Sequence, residues 1–263
     1  MTVFSAENIT AGYGKSNVIQ NISFSVDGGC LMGVIGANGS GKTTLLKALC
    51  GILDHSGSCR IDDVVLERQS PKQLSQLCSY IPQRSGISID ISVLDVVLMG
   101  FNPHLKLLER PSAAMKNAAM QALEQVGLGG KSNENYLHLS EGQKQLCIFA
   151  RTLASGSQLL LLDEPESALD FRFRYQMLAL LQDYIADGAK AAVVTLHDPM
   201  LALNCCDRLM LLSEGGILGK IDTKTDPIDK MEQMLGAIYG DVSLQYCADR
   251  SGKERLVMLR EEL

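Results

Sequence analysis

Apolar and polar positions change their period several times along this chain, and each change marks an element. Ile22, Phe24 and Val26 alternate with polar neighbours, the period of a half-buried strand, and Asp27-Gly28-Gly29 turns the chain after it. Leu31-Met32-Gly33-Val34-Ile35 lacks polar positions, as expected of a strand covered on both faces, and Thr44-Leu45-Leu46-Lys47-Ala48-Leu49 reads as the helix beyond it. Arg60-Ile61-Asp62 and Ser79-Tyr80-Ile81 are short strand-like pieces. From about Ile87 the texture turns helical: Met115, Ala119, Ala122, Leu123 and Val126 recur at helical spacing and Gly127 is placed to stop the helix. Residues from about Ile87 to Gln145 are therefore expected to form a mostly helical insert. Apolar strands return at Leu159-Leu160-Leu161-Leu162, Ala191-Ala192-Val193-Val194-Thr195 and Arg208-Leu209-Met210-Leu211-Leu212, the first two separated by a helix from about Phe171 to Ile185. A helix from Ile228 to Tyr239 follows, then a hairpin in which Val242, Leu244 and Tyr246 alternate before the turn Asp249-Arg250-Ser251-Gly252. Strands apolar on both faces and alternating with helices imply an α/β fold around a parallel sheet.

Composition narrows the class. A chain of 263 residues can bury a substantial core, and its 46% hydrophobic and 21% charged content is that of a globular protein. A net charge of −6 carries no electrostatic footprint for nucleic acid, so none is expected as a partner. No apolar stretch approaches the ~20 residues of a membrane-spanning helix. The opening Met1-Thr2-Val3-Phe4-Ser5-Ala6-Glu7 lacks the blocks of a secretory signal. The protein is thus expected in the cytosol, with any membrane span supplied by another chain. Its eight cysteines contain no C-x-x-C pair and most lie in apolar surroundings; the adjacent Cys205 and Cys206 offer a pair for a soft metal but are expected as two small buried hydrophobes. Of the four histidines only His197 carries a functional argument.

The candidate chemistry begins at Gly36-Ala37-Asn38-Gly39-Ser40-Gly41-Lys42-Thr43, which fits GxxxxGK[ST] between a predicted strand and a predicted helix. Such a loop wraps backbone N–H groups around a phosphate chain, with the helix N-terminus pointing at it. Gly36, Asn38, Gly39, Ser40, Gly41, Lys42, Thr43 and Thr44 are the expected binding residues; Lys42 reaches the β- and γ-phosphates and the Thr43 hydroxyl binds Mg²⁺. A second signal is the apolar strand Leu159–Leu162 ending in Asp163-Glu164. Asp163 is placed to hold Mg²⁺ and Glu164 to take a proton from attacking water.

Leu139-Ser140-Glu141-Gly142-Gln143 resembles the LSGGQ signature of the ATP-binding cassette (ABC) proteins, and other positions then fall into register along nearly the whole chain. The resemblance implies a P-loop NTPase cassette: a RecA-like core sheet, an N-terminal antiparallel β-subdomain and an inserted α-helical subdomain. It implies one ABC ATPase domain over residues 1–263, with 1–86 and 146–215 as ATP-binding core and β-subdomain, 87–145 as helical subdomain and 216–263 as a small C-terminal extension. Tyr13 matches the aromatic residue that stacks on adenine, and Gln83 the loop glutamine that touches Mg²⁺ or the attacking water. Ser140, Gly142 and Gln143 match signature residues that cover the nucleotide of a second copy. Ser167-Ala168-Leu169-Asp170 matches the loop at the dimer interface, and His197 the switch histidine that contacts the γ-phosphate.

The segment Ile91 to Leu105 resembles the V-x-x-V-x-x-G-R-x-P-H segment of the ferric-siderophore, haem and cobalamin uptake ATPases. His197-Asp198, Leu201-Ala202 and Cys206-Asp207-Arg208 resemble the same group, as does the tail with its hairpin. The resemblance implies an ATPase at the cytoplasmic face of the membrane, using ATP and Mg²⁺ and closing head to tail with a second copy of itself. A separate permease would hold it there, and an extracytoplasmic solute-binding protein would act indirectly. The expected cargo is an iron chelate or a cobalamin-like solute; zinc/manganese importers have similar segments, and soluble cassette proteins acting on ribosomes, DNA or iron–sulfur assembly are the other class. Four positions depart from the family pattern. Glu141 replaces the first signature glycine and is expected to weaken dimer closure by repulsion unless it points outward. Leu146 and Phe101 stand where arginine is common, and Ala154-Ser155-Gly156-Ser157 lacks the usual proline.

Overall fold

A computed structural model describes residues 1–83 and 86–261. β1 (Thr2–Tyr13) and β2 (Ser16–Asp27) form a long antiparallel pair, after which β3 (Leu31–Gly36) departs to start a second sheet and leads into α1 (Lys42–Leu49). β4 (His55–Ile61) and β5 (Val64–Val65) return to the first sheet, whose order is β2-β1-β4-β5. α2 (Pro71–Leu77) starts at a capping box between Ser70 and Gln73 and delivers the chain to β6 (Cys78–Ile81). The helical insert then follows as α3 (Val93–Leu98), α4 (Ala113–Gln125) and the start of α5 (Glu141–Ser155). Ser112 caps α4 by accepting from the Met115 N–H, and Gly127 ends it at φ 77°, a conformation only glycine adopts without strain.

The remaining chain alternates strand and helix: β7 (Leu159–Asp163), α6 (Phe171–Ile185), β8 (Ala191–Thr195), α7 (Pro199–Cys205), β9 (Arg208–Ser213) and β10 (Gly216–Asp222). The second sheet runs β10-β9-β3-β8-β7-β6, parallel throughout except for the edge strand β10. Successive residues of one strand feed opposite cores. Leu159 and Leu161 of β7 pack in the cluster that contains α1 and the N-terminal sheet, whereas Leu160 and Leu162 pack with α5, α6 and the insert. That is why the strand is leucine at four consecutive positions, each worth roughly 1.5–3 kcal/mol when fully buried.

α8 (Ile228–Tyr239) and the hairpin β11 (Val242–Ala248) with β12 (Glu254–Arg260) complete the fold. The Asn204 side chain of α7 anchors the hairpin, donating to the Leu256 carbonyl (2.8 Å) and accepting from its N–H (3.0 Å). Val242 and Leu244 are buried as their alternation predicts, but Tyr246 is 51% exposed, because the far half of the hairpin extends beyond α8 into solvent. Among the described residues no helix is long and apolar enough to cross a membrane.

Candidate active site

Parallel pairing brings the site together. Register aligns Asp163 with Thr195 and Leu162 with Ile81, so the carboxyl ends of β6, β7, β8 and β3 share one edge, where α/β sheets bind ligands. Between β3 and α1 the loop turns through Gly39 (φ 81°) and Gly41 (φ 100°). Two of its glycines answer to packing as well: a Cβ on Gly36 would strike the Leu212 carbonyl, and one on Gly41 would strike Ile19 of the N-terminal sheet. The ammonium of Lys42, only 5% exposed, curls back onto the carbonyls of Gly36 (2.9 Å) and Ala37 (3.3 Å). Burial lowers its pKa, and the nearby carboxylates of Glu164, Asp163 and Glu166 oppose that shift.

Hydroxyl donors surround Asp163. Its Oδ1 accepts from Thr43 (3.1 Å) and Thr195 (3.0 Å), and its Oδ2 from Tyr80 (3.2 Å). The same Thr195 hydroxyl accepts the Glu164 N–H at 2.8 Å, holding Glu164 at φ 47°, a left-handed conformation that costs a non-glycine residue of order 1–3 kcal/mol. This strain turns the Glu164 carboxylate toward the loop. There Oε2 lies 2.7 Å from His197 Nε2 and accepts from the Gln83 amide at 2.8 Å. Gln83, Glu164 and His197 thus form one contiguous polar group, and Asn38, Gly39, Ser40, Gly41, Lys42, Thr43 and Thr44 line one pocket with Glu164. Among the described residues the Ser40 hydroxyl, buried there, has no hydrogen-bond partner, as a group built to donate to a ligand oxygen would lack one.

The signature segment stands apart from this pocket. Ser140 caps α5 in a second capping box: its hydroxyl accepts from the Gln143 N–H (3.3 Å) and the Gln143 side chain accepts from the Ser140 N–H (3.1 Å). With Gly142 these residues line a groove shared with Ala168, Leu169 and Asp170, and among the described residues none lines both this groove and the phosphate pocket. Glu141, the departure expected to repel phosphate, is exposed and lines the same groove, but it pairs with Lys144 at 2.8 Å, which offsets part of its charge. The other departures are also absorbed by packing. Leu146 and Phe101 are buried in the insert, and the segment without proline is tied down by Ser79, whose hydroxyl lies 3.0 Å from that of Ser155 and 2.7 Å from that of Ser157. Tyr13 is half exposed and lines a separate groove with Gly14, Ile52, Leu53, Asp54 and His55.

A buried unpaired hydroxyl, a cation folded onto carbonyls and a carboxylate ringed by hydroxyls fit a phosphate chain with its counter-cation. The sequence profile of the family described as ABC transporter matches residues 19–167. This chain belongs to the ABC transporter family. As an ABC ATP-binding subunit it binds ATP and is an ATPase coupled to transport. A Helicobacter pylori protein named for iron chelatin transport is 32% identical over 242 residues, covering 90% of this chain and 92% of its own. The hemin import ATP-binding protein of Bordetella pertussis is 36% identical over 219 residues, covering 80% and 82%. An inward-facing metal-chelate type ABC transporter superposes with a TM-score of 0.81 at 29% identity, over 99% of both chains.

Three residues of this ABC site carry no signal in the sequence. Tyr80 and Thr195 reach Asp163 only through strand register. Glu166 is 2% exposed: its Oε1 accepts the His197 N–H at 3.2 Å, while its Oε2 is buried with no partner among the described residues. Burial raises its pKa. The folded state therefore binds the extra proton more tightly than the unfolded chain, and stability falls as pH rises from the ordinary glutamate range through the raised value. Glu166→Gln is expected to stabilise the protein at neutral pH by about 1 kcal/mol, a melting shift of roughly 2–4 °C. The gain should shrink as the pH is lowered toward the ordinary glutamate range. Thermal melts of both proteins across that range check it, and a pH-independent difference would remove the titration as its cause.

Proposed function

We propose that the chain is the ATP-hydrolysing subunit of an importer for an iron chelate, a siderophore or haem complex, acting through a separate permease. The observation that carries this reading is the match of essentially the whole chain, insert and hairpin tail included, to a metal-chelate type transporter subunit. Relatives named for iron chelatin and hemin transport support the same cargo class. The separation of the signature groove from the phosphate pocket supports a head-to-tail dimer, in which Ser140, Gly142 and Gln143 of one copy cover the phosphates held by Lys42 of the other. In each site Glu164 takes the proton of the attacking water, with Gln83 and His197 orienting it through the contacts at 2.8 and 2.7 Å. Mg²⁺ on Thr43, Asp163 and Gln83 would supply counter-charge to the phosphates.

A groove lined by Ser75, Met99, Gly100, Pro103 and Arg151 lies where the insert meets α2 and β6, and it is the proposed seat of a permease helix. A Cβ on Gly100 would strike the Arg151 carbonyl, which is why this turn is glycine. The experiment that tests the assignment is a pull-down of tagged Glu164→Gln protein, with ATP, from solubilised membranes of its host. A polytopic permease is expected; ribosomal, DNA-bound or iron–sulfur assembly partners without a membrane protein would overturn the importer. Uptake of labelled ferric siderophore and haem by cells lacking the gene then tests the cargo, and undiminished uptake of both would remove it. Tyr13→Ala is expected to weaken ATP binding by roughly 0.5–1.5 kcal/mol through lost adenine stacking. An unaltered dissociation constant would return Tyr13 to the bare surface.

A further inference from the structure

β4 departs from regular strand geometry at one point, and the departure gathers three metal-binding side chains. Its pairing with β1 shifts register between Glu7 and Thr10, opposite Gly57, which sits at φ 96°. A Cβ on Gly57 would collide with the carbonyls of Glu7 and Asn8. In an even strand His55 and Cys59, four residues apart, would have side chains separated by about four strand rises of ~3.4 Å each. Here the left-handed turn at Gly57, opposite an extra residue of β1, brings the two side chains together: His55 Nε2 lies 3.9 Å from Cys59 Sγ. Glu67, in the turn after β5, closes the group from the other side: its Oε1 is 3.1 Å from His55 Nε2. One ligand atom from each residue lies within 4.8 Å of the other two. Cys59 is fully buried and the His55 side chain only 8% exposed, while Glu67 and the groove beside His55 open to solvent.

We propose that His55, Cys59 and Glu67 form a binding site for a borderline divalent transition cation, Zn²⁺ being the best fit. A nitrogen, a sulfur and a carboxylate oxygen match the ligand set zinc takes, whereas the thiol disfavours Mg²⁺ and Ca²⁺. Tetrahedral bonds of about 2.0–2.3 Å place neighbouring ligand atoms ~3.3–3.8 Å apart, and the two separations to His55 Nε2 bracket that interval. The fourth position falls to water from the groove. This site is separate from Thr43 and Asp163, and its ion is neither the ATP counter-cation nor the transported cargo.

Full-length protein, stripped with a chelator and dialysed, would be titrated with Co²⁺ and then with Zn²⁺. The expected result is one equivalent of Co²⁺ giving a thiolate-to-cobalt charge-transfer band that Zn²⁺ displaces. That band should vanish in Cys59→Ser and persist in Cys247→Ser, which removes the exposed cysteine instead. Because Cys59 is buried, Glu67→Gln serves as the variant that keeps the core intact; it should weaken Zn²⁺ binding at least about tenfold with an unchanged circular dichroism spectrum. Absence of the band in folded wild-type protein overturns the site. So does a band or Zn²⁺ affinity unaffected by Cys59→Ser and Glu67→Gln.

Discussion

Glu164→Gln is expected to lower steady-state ATP turnover by about two to four orders of magnitude while leaving ATP bound. The substitution preserves shape: a glutamine oxygen still accepts from Gln83, and the backbone at φ 47° is still fixed by Thr195. What it removes is the basic lone pair that the proposed mechanism uses to take the proton from attacking water. Because the carboxylate contacts Gln83 and His197 and not Lys42, nucleotide affinity should be nearly unchanged. The trapped protein should accumulate as an ATP-dependent dimer. Phosphate release and size-exclusion chromatography with ATP and Mg²⁺ check the two halves, and turnover at the wild-type rate would exclude Glu164 as the base.

Lys42→Ala should weaken ATP binding by about 2–4 kcal/mol, roughly 30- to 1000-fold. In the nucleotide-free chain the ammonium is held by the Gly36 and Ala37 carbonyls, against burial that disfavours its charge. A phosphate chain replaces those two neutral acceptors with anionic oxygens, adding the attraction of opposite charges to hydrogen bonds whose donor is already charged. The lysine therefore gains more from ligand than it gives up in leaving the loop. Titration with ATP by calorimetry reads the loss directly, and a dissociation constant within threefold of wild type would exclude Lys42 from phosphate binding. Together the variants separate binding from chemistry, one lowering affinity and the other turnover.

Where the chain repeats a period, its elements were legible. α6, β8 and α8 begin and end where the apolar pattern does, because each buries one continuous stripe or two full faces. Short elements were less legible: α2 and α7, of seven residues each, do not repeat long enough to declare a period and rest on caps at Ser70 and Asp198. The tail shows the limit from the other side. Tyr246 keeps the alternation of Val242 and Leu244, but alternation does not say how far the covering helix reaches.

The phosphate loop, the Asp163-Glu164 pair at a strand end and the signature segment were readable from the residues alone, since in each the candidate chemistry and the local fold lie within one short stretch. Which groups meet depends on how the elements pack. Parallel register puts Tyr80 and Thr195 on Asp163, packing leaves a Glu166 oxygen buried without a partner among the described residues, and the left-handed turn at Gly57 brings His55 to Cys59 and Glu67. The reason is physical: helix and turn preferences act over a few residues, whereas hydrogen bonds between strands join positions whose separation along the chain carries no pattern.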